Sequence, residues 1–191
     1  MNRQAPTLQA PSFEAFLEFE KHSQVRHEFV DGNLFVMAGG SKRHDYVGNA
    51  LRAHLFFASQ KNSFALHGSD MLVRTPDEVG YYPDAMIVLD SSLDTTHVIR
   101  RPCILIEVLS TSTESIDRGE KLHNYRTIPS LEQYILLSQN EPIADVYSKL
   151  KEAHWQHKIL IQDAVLDFPS IGFSLPLAVL YENLPMTEGL E

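Results

Sequence analysis

The stretch Cys103-Ile104-Leu105-Ile106-Glu107-Val108-Leu109 is apolar apart from one carboxylate, Glu107. Both of its alternating faces are hydrophobic, which is typical of a strand that is covered on both sides of a sheet. An ionised carboxylate is almost never fully buried without a partner, because its removal from water costs several kcal/mol. We therefore expect Glu107 to meet a cation, to share a proton or to open onto a cavity.

A second carboxylate shows the same anomaly upstream. Asp84 follows Pro83 at the head of another apolar run, Ala85-Met86-Ile87-Val88-Leu89. Carboxylates on two adjacent strands can meet at one end of a sheet, and Mg²⁺ is bound in proteins by one or two carboxylates together with water and substrate phosphate. The two acids therefore predict a divalent-metal site. The structural alternatives are a strand-entry role for Asp84 and a core ion pair for Glu107.

Composition indicates one globular domain and excludes some partners. The chain has 191 residues, of which 43% are hydrophobic and 21% charged, so a sizeable core is expected. The net charge of −9 argues against binding nucleic acid or an anionic membrane over the whole surface, although it leaves room for a local basic groove. The start of the chain has no hydrophobic signal segment, and no apolar run approaches the roughly 20 residues that span a bilayer. We expect a cytoplasmic protein with no membrane association.

Local signals predict a single domain over residues 12–191, preceded by an extended N-terminal arm over residues 1–11. Asp31-Gly32 is a strong hairpin-turn signal, and Ser12, Ser41 and Ser112 or Thr113 stand where helix caps are expected. The predicted helices are 12–22, 41–62 and 112–127, and the predicted strands are 28–30, 34–37, 64–66, 70–74, 84–89, 103–109, 132–138, 143–148 and 154–161. Residues 90–101 are polar and predicted as a loop. This order indicates an α/β fold, with a mixed sheet and helices on its faces.

A catalytic lysine on the strand of Glu107 is absent, and the next predicted helix supplies a candidate. The position two residues after Glu107, which shares its strand face, holds Leu109 and not lysine. In the next predicted helix, Asp117, Lys121 and Tyr125 recur at every fourth position and therefore share one face. If this helix packs beside the Glu107 strand, Lys121 reaches the metal site. The alternative is a surface ion pair between Asp117 and Lys121.

Taken together, these motifs resemble the Uma-type restriction endonucleases of the PD-(D/E)XK superfamily. The resemblance rests on Pro83-Asp84, on Glu107-Val108-Leu109-Ser110 and on Asp117-x-x-x-Lys121-x-x-x-Tyr125, and it covers residues 13–181. It implies a restriction-endonuclease-like mixed β-sheet flanked by α-helices and Mg²⁺- or Mn²⁺-dependent cleavage of DNA. Leu109 departs from the superfamily pattern, because the superfamily usually has its lysine there.

The resemblance also implies residue roles. Asp84, Glu107 and Lys121 would be the catalytic residues, with Asp84, Glu107, the Val108 carbonyl and Glu28 around the metal. The supporting residues would be Asp70, Asp117, Tyr125 and His44. A metal-activated water would attack the phosphorus, with Lys121 stabilising negative charge rather than acting as a base, because carboxylate neighbours raise a lysine pKa.

Other interpretations stay open at this point. A non-catalytic nucleic-acid-binding or interaction module would keep the fold and bind without metal, and a hydrolase of small phosphorylated compounds would leave DNA uncut. Glu28 is as compatible with a solvent-facing hairpin position as with a metal ligand, and His44 with helix capping. A homodimer is expected by analogy with restriction enzymes, with the aromatic residues of the first helix as a contact surface.

Overall fold

The apolar run around Glu107 forms a central strand in the computed structural model, which describes residues 6–37, 39–151 and 154–184. The strands are β1 (Leu8–Gln9), β2 (His27–Val30), β3 (Asn33–Val36), β4 (Ala65–Gly68), β5 (Leu72–Arg74), β6 (Gly80–Tyr81), β7 (Ala85–Val88), β8 (Val98–Ile99), β9 (Pro102–Leu109), β10 (Gln133–Ser138), β11 (Ile143–Lys149), β12 (Trp155–Ile161), β13 (Val165–Phe168) and β14 (Phe173–Pro176). The helices are α1 (Phe13–Glu20), α2 (Lys42–Ser59), α3 (Glu114–Ile116) and α4 (Leu122–Tyr125), with a π-helical turn at Asp117–Lys121 and 3₁₀ turns at Pro169–Ile171 and Leu177–Tyr181.

Two six-stranded sheets and a small hairpin make up the fold. Sheet 1 has the order β1-β3-β2-β6-β5-β8, and sheet 2 has the order β12-β11-β10-β9-β7-β4. In sheet 2, β9 and β10 are parallel, whereas the other neighbouring strands are antiparallel. Strands β13 and β14 pair separately. The expectation of an α/β fold with a mixed sheet is confirmed, but the division into two sheets was not predicted.

Both faces of sheet 2 are covered over its central strands. On one face, Val47, Leu51 and Leu55 of α2 pack against β9 and β10, together with residues of the β13–β14 hairpin. On the other face, sheet 2 packs against sheet 1 and α4. The outer face of sheet 1 is covered by α1, whose Phe13 and Phe16 are fully buried. The apolar composition of β9 on both faces follows from this double coverage.

Several local predictions agree with the structure in detail. Asp31 and Gly32 have positive φ values of 49° and 79° and form the two-residue turn between β2 and β3. Ser12 and Ser41 cap α1 and α2 by accepting the amides of Ala15 and His44. The predicted loop over residues 90–101 contains β8, which pairs in parallel with β5.

Two expectations need correction. Thr113 occupies the cap position of α3 but makes no side-chain capping bond, and its own amide donates to Ser110 Oγ. Phe13 and Phe16 lie in the core and are not a contact surface for a second copy, so of the aromatic residues of α1 only Phe19, at 37% exposure, is open to one.

The predicted N-terminal arm contributes an edge strand, because Leu8 pairs with Leu34 and Gln9 with Asn33. The ends of the chain, residues 1–5 and 185–191, lie outside the described residues. Within the described ranges, no helix has both the length and the hydrophobicity that a bilayer crossing requires.

Candidate active site

Strand alternation places Glu107 between the two sheets. Ile106 and Val108 point into the core under α2, so Glu107 faces sheet 1 together with Leu105 and Leu109. Glu28 approaches Glu107 from sheet 1, where it lies on β2 next to β3. Both carboxylates are largely buried, and this placement explains how one acid can lie within an apolar strand.

Lys121 is the cation that Glu107 meets. Its Nζ lies 3.0 Å from Glu107 Oε1, 3.1 Å from Glu28 Oε1 and 3.1 Å from Asp117 Oδ1. The contact with Glu107 is a hydrogen bond, whereas the Asp117 oxygen has no well-aligned hydrogen-bond donor. The Lys121 side chain is only 7% exposed. One ammonium group is therefore shared by three carboxylates.

The π-helical turn Asp117–Lys121 carries two of these groups. The sequence pattern predicted a regular helix here, but the turn is wider than an α-helical one and both Asp117 and Lys121 are buried. Single π-helical turns inside helices are frequent at functional sites. The Tyr125 hydroxyl donates a hydrogen bond to Glu107 Oε1 at 3.0 Å. The Tyr134 hydroxyl donates one to the backbone carbonyl of Asp117 at 3.1 Å.

Asp84 reaches the same region from the neighbouring strand. The antiparallel register that pairs Ala85 with Ile106 brings Asp84 alongside the end of β9. Its Oδ2 accepts the Val108 amide at 2.7 Å and lies 3.3 Å from Nε2 of His44, in the first turn of α2. The side chain of Asp84 is 18% exposed, so it lies nearer to solvent than Glu107.

A cavity of about 320 Å³ unites most of the predicted site residues. Its lining includes Glu28, His44, Asp84, Glu107, Val108 and Lys121. Asp117 and Tyr125 contact Lys121 and Glu107 from behind this lining. Asp70 is not brought to the cavity, because it forms an ion pair with Arg26 on the surface and its side chain is 91% exposed.

The electrostatics of the cluster follow from burial and from Lys121. Burial raises the pKa of Glu107 well above its ordinary value, against the opposing effect of Lys121. The pKa of Asp117 is raised for the same reason. Burial would lower the pKa of Lys121, but the surrounding carboxylates outweigh it and raise the lysine pKa well above its ordinary value. Lys121 therefore stays protonated, as expected for a charge stabiliser and not for a base.

Asp84 and His44 form a separate ionic pair. Burial alone would raise the pKa of Asp84, but the hydrogen bond from His44 and that from the Val108 amide lower it. The same hydrogen bond raises the pKa of His44. Asp84 is therefore more readily ionised than Glu107.

The sequence interpretation did not identify the remaining cavity lining. Apolar side chains of Phe35, Met37, Tyr82 and Ile116 form part of it, and Ser110, Ser112 and Thr113 supply hydroxyl groups. Ser110 Oγ lies 2.8 Å from Thr113 Oγ1. One signal was available, because a two-residue turn at Asp31-Gly32 sets Phe35 directly opposite Glu28, on the same face of the hairpin.

Comparison with solved structures shows the fold. A crystal structure described as a putative nuclease belonging to DUF820, from Anabaena variabilis, superposes with a TM-score of 0.75, covering 92% of this chain and 100% of that chain. The two sequences are only 14% identical, so this likeness bears on the fold alone.

Sequence relatives cover a similar span. Two uncharacterised proteins of Synechocystis sp. match this chain. One is 31% identical over 173 residues, which is 90% of this chain and 91% of the relative. The other is 28% identical over 144 residues, or 73% and 81% of the two chains. The family model named Uma2, described as "Putative restriction endonuclease", matches residues 13–178. Because that match spans most of the sequence, the chain belongs to the Uma2 family.

Proposed function

We propose that this protein is a metal-dependent endonuclease that hydrolyses DNA phosphodiester bonds. The observation that carries the proposal is the convergence of Asp84, Glu107 and Lys121 on one cavity, with Lys121 Nζ 3.0 Å from Glu107. Acidic metal ligands beside a protonated lysine are suited to a phosphodiester, which carries negative charge and gains more in its transition state. The family and the nuclease fold support the same reaction class.

The side chains present suit Mg²⁺ or Mn²⁺. Carboxylate oxygens are the ligands that these hard cations prefer, and Mg²⁺ needs only one or two of them when phosphate and water complete its shell. Within the described parts of the chain, no group of three or more His, Cys, Asp or Glu residues is arranged to hold a metal. This pattern argues against an all-protein metal cage and is compatible with two ligands, Asp84 and Glu107.

The hydrogen bonds within the cluster leave room for these ligands. Both contacts of Asp84 use Oδ2, and both donors to Glu107 use Oε1. A cation held through the other oxygen of each carboxylate would leave these bonds in place. Glu28 and the Val108 carbonyl are further candidate ligands because they line the same cavity. When bound, the cation would lower the pKa of a coordinated water and offset phosphate charge.

Side chains of the protein would orient the metal ligands and stabilise the negative charge that develops on the phosphate. Protonated Lys121 would hold a phosphate oxygen and stabilise the negative charge that develops on it. Tyr125 fixes the orientation of Glu107, and the Val108 amide fixes that of Asp84. His44 would balance the charge of Asp84 before substrate arrives. Asp117 would position Lys121 from behind.

The buried charges favour an enzyme over a non-catalytic module. Holding three carboxylates around one ammonium in a nearly dry site costs stability, and such strongly perturbed groups are concentrated at catalytic sites. A module that binds nucleic acid without metal would have no use for this arrangement. Activity on small phosphoesters with none on DNA would instead favour the hydrolase alternative.

Cleavage of supercoiled plasmid DNA with Mg²⁺ or Mn²⁺ tests the proposal. We expect wild-type protein to nick or linearise the plasmid, EDTA to stop it, and Asp84→Ala to reduce the rate by about 100-fold or more. Asp163→Ala, in an exposed turn after β12, is the matched control and should cleave like wild type. Equal cleavage by Asp84→Ala and wild type would refute the proposed site, and metal-independent binding without turnover would favour the non-catalytic module.

A further inference from the structure

The candidate active site lies in a small, partly open cavity. The cavity volume of about 320 Å³ is near the lower end of the range for small-molecule pockets. On its floor, the side chains of Glu107 and Lys121 are 5% and 7% exposed. A reacting phosphate therefore has to enter the cavity to approach both groups.

This shape discriminates between paired and unpaired nucleic acid. In a duplex, both strands are held by pairing and stacking, and the phosphates follow the rims of grooves about 6 Å and 12 Å wide. A continuous duplex can deliver one phosphate to so small a cavity only where its strands separate locally, as they do in supercoiled plasmid DNA. An unpaired strand can do so along its whole length, because its nucleotides rotate independently and its bases can splay apart.

The cavity wall also matches an unpaired nucleotide. The lining includes the apolar groups of Phe35, Met37 and Tyr82 and the hydroxyl groups of Ser110 and Thr113. Phosphate chemistry alone needs no apolar wall. Unpaired bases, in contrast, stack on aromatic side chains, and hydroxyl groups donate hydrogen bonds to phosphate and sugar oxygens.

Phe35 lies between the apolar part of the cavity lining and its charged groups. It is the cross-strand partner of Glu28, so its ring lies on the same face of the β2–β3 hairpin as an acid that contacts Lys121. A base held at this ring would place its own phosphate next to the charged floor. We propose that the cavity binds an unpaired nucleotide and that the preferred substrate is single-stranded nucleic acid. This inference rests on the proposed function, because it concerns the same site.

Fluorescence anisotropy tests the preference for an unpaired strand separately from cleavage. A short labelled DNA strand is titrated alone, annealed to its complement, and annealed to a complement that leaves one nucleotide unpaired, all with Ca²⁺ as the metal. We expect the single strand to bind about tenfold more tightly than the full duplex. Binding of the duplex with one unpaired nucleotide at the single-strand level would also support the inference and would identify an extruded nucleotide as sufficient.

Wall variants test the cause of the preference. Phe35→Leu keeps an apolar side chain but removes the ring, and should weaken single-strand binding about fivefold with little effect on duplex binding. Met37→Ala is a second variant at a half-buried position, and Leu93→Ala, 58% exposed on a distant loop, is the control. Thermal melting of each variant separates loss of folding from loss of binding.

The outcomes are distinguishable from those of the proposed function. Equal affinity for single strand and duplex, no binding of any strand, or wild-type single-strand affinity in both wall variants would each overturn the inference. A single-strand preference that depends on Phe35, without cleavage in Mg²⁺ or Mn²⁺, would support the inference while refuting the nuclease proposal.

Discussion

Lys121 supplies the positive charge that offsets the buried carboxylates around it. A buried ammonium is costly, and it is tolerated here because three carboxylates lie within 3.1 Å of it. Each carboxylate in turn depends on the lysine, because burial already raises the pKa of Glu107 and Asp117. Removing Lys121 should therefore affect stability as well as the proposed catalysis.

Lys121→Met should lower the free energy of unfolding by about 3–5 kcal/mol at about pH 8. The folded-state pKa values of Glu107 and Asp117 then rise further above their unfolded values, so the native state binds more protons than the unfolded state as pH falls. Stability must therefore increase toward acid, and the loss at about pH 5 should be smaller. Urea denaturation measures both values.

Lys158→Met, at an exposed position of β12, is the control and should change the free energy of unfolding by less than about 0.5 kcal/mol. An equal loss in both variants would contradict the role of Lys121 as the cation of the cluster.

The pair of His44 and Asp84 gives the opposite dependence on pH. The raised pKa of His44 provides stability below its unfolded pKa of 6.5, and that stability is lost as pH rises through the folded value. The lowered pKa of Asp84 provides stability above 3.8, which is lost as pH falls through the folded value. The pair of His44 and Asp84 therefore contributes most to the free energy of unfolding between pH 3.8 and pH 6.5.

His44→Ala should lower the free energy of unfolding by about 1 kcal/mol at about pH 5 and by less at about pH 9. Thermal melts at the two pH values, with exposed His154→Ala as the control, measure the difference. A loss that is independent of pH would mean that His44 acts through packing and not through charge.

At the scale of elements, α2 connects the core with the site. Its apolar side packs on sheet 2, and its N-terminus, capped by Ser41, places His44 beside Asp84. Ser41→Ala should lower the free energy of unfolding by about 1 kcal/mol, because the His44 amide loses its acceptor. Chemical denaturation with Ser91→Ala, in an exposed loop, as a control measures this; no difference between the two variants would show that the cap contributes nothing.

Elements with local signals were predictable, and those that depend on distant partners were not. The Asp31-Gly32 turn and the two serine caps are encoded within a few residues, and both were recognised. Strand β8 has two residues and exists because β5 lies beside it. The π-helical turn lies where Lys121 contacts Glu107 and Glu28 on two different sheets. No local pattern encodes the pairing of β8 or the widening of the turn.

The site was predictable to the extent that it violates burial rules. Glu107 and Asp84 stood out as acids in apolar strands, and Lys121 followed from helical spacing. The apolar wall did not stand out, because Phe35 and Tyr82 look like ordinary core residues in the sequence. Asp70 was assigned by resemblance, and its own sequence surroundings gave no warning that it lies on the surface beside Arg26.

At the scale of the whole molecule, two sheets pack face to face and enclose the acid cluster between them. A homodimer stays a prediction. Phe56 and Phe57, at 54% and 70% exposure on α2, are the large aromatic side chains most open to solvent among those described. Light scattering should give twice the mass of one chain, and a monomeric mass at working concentration would contradict this prediction.

Calorimetric titration of Mn²⁺ into wild-type protein and Asp84→Ala, with and without a short DNA strand, tests the metal site directly. We expect saturable binding to the wild type that is lost in Asp84→Ala, kept in Asp163→Ala, and tighter at higher pH because Glu107 has to release its proton. Equal binding by wild type and Asp84→Ala, or no binding to the wild type even with the DNA strand present, would contradict a metal centre at this cavity.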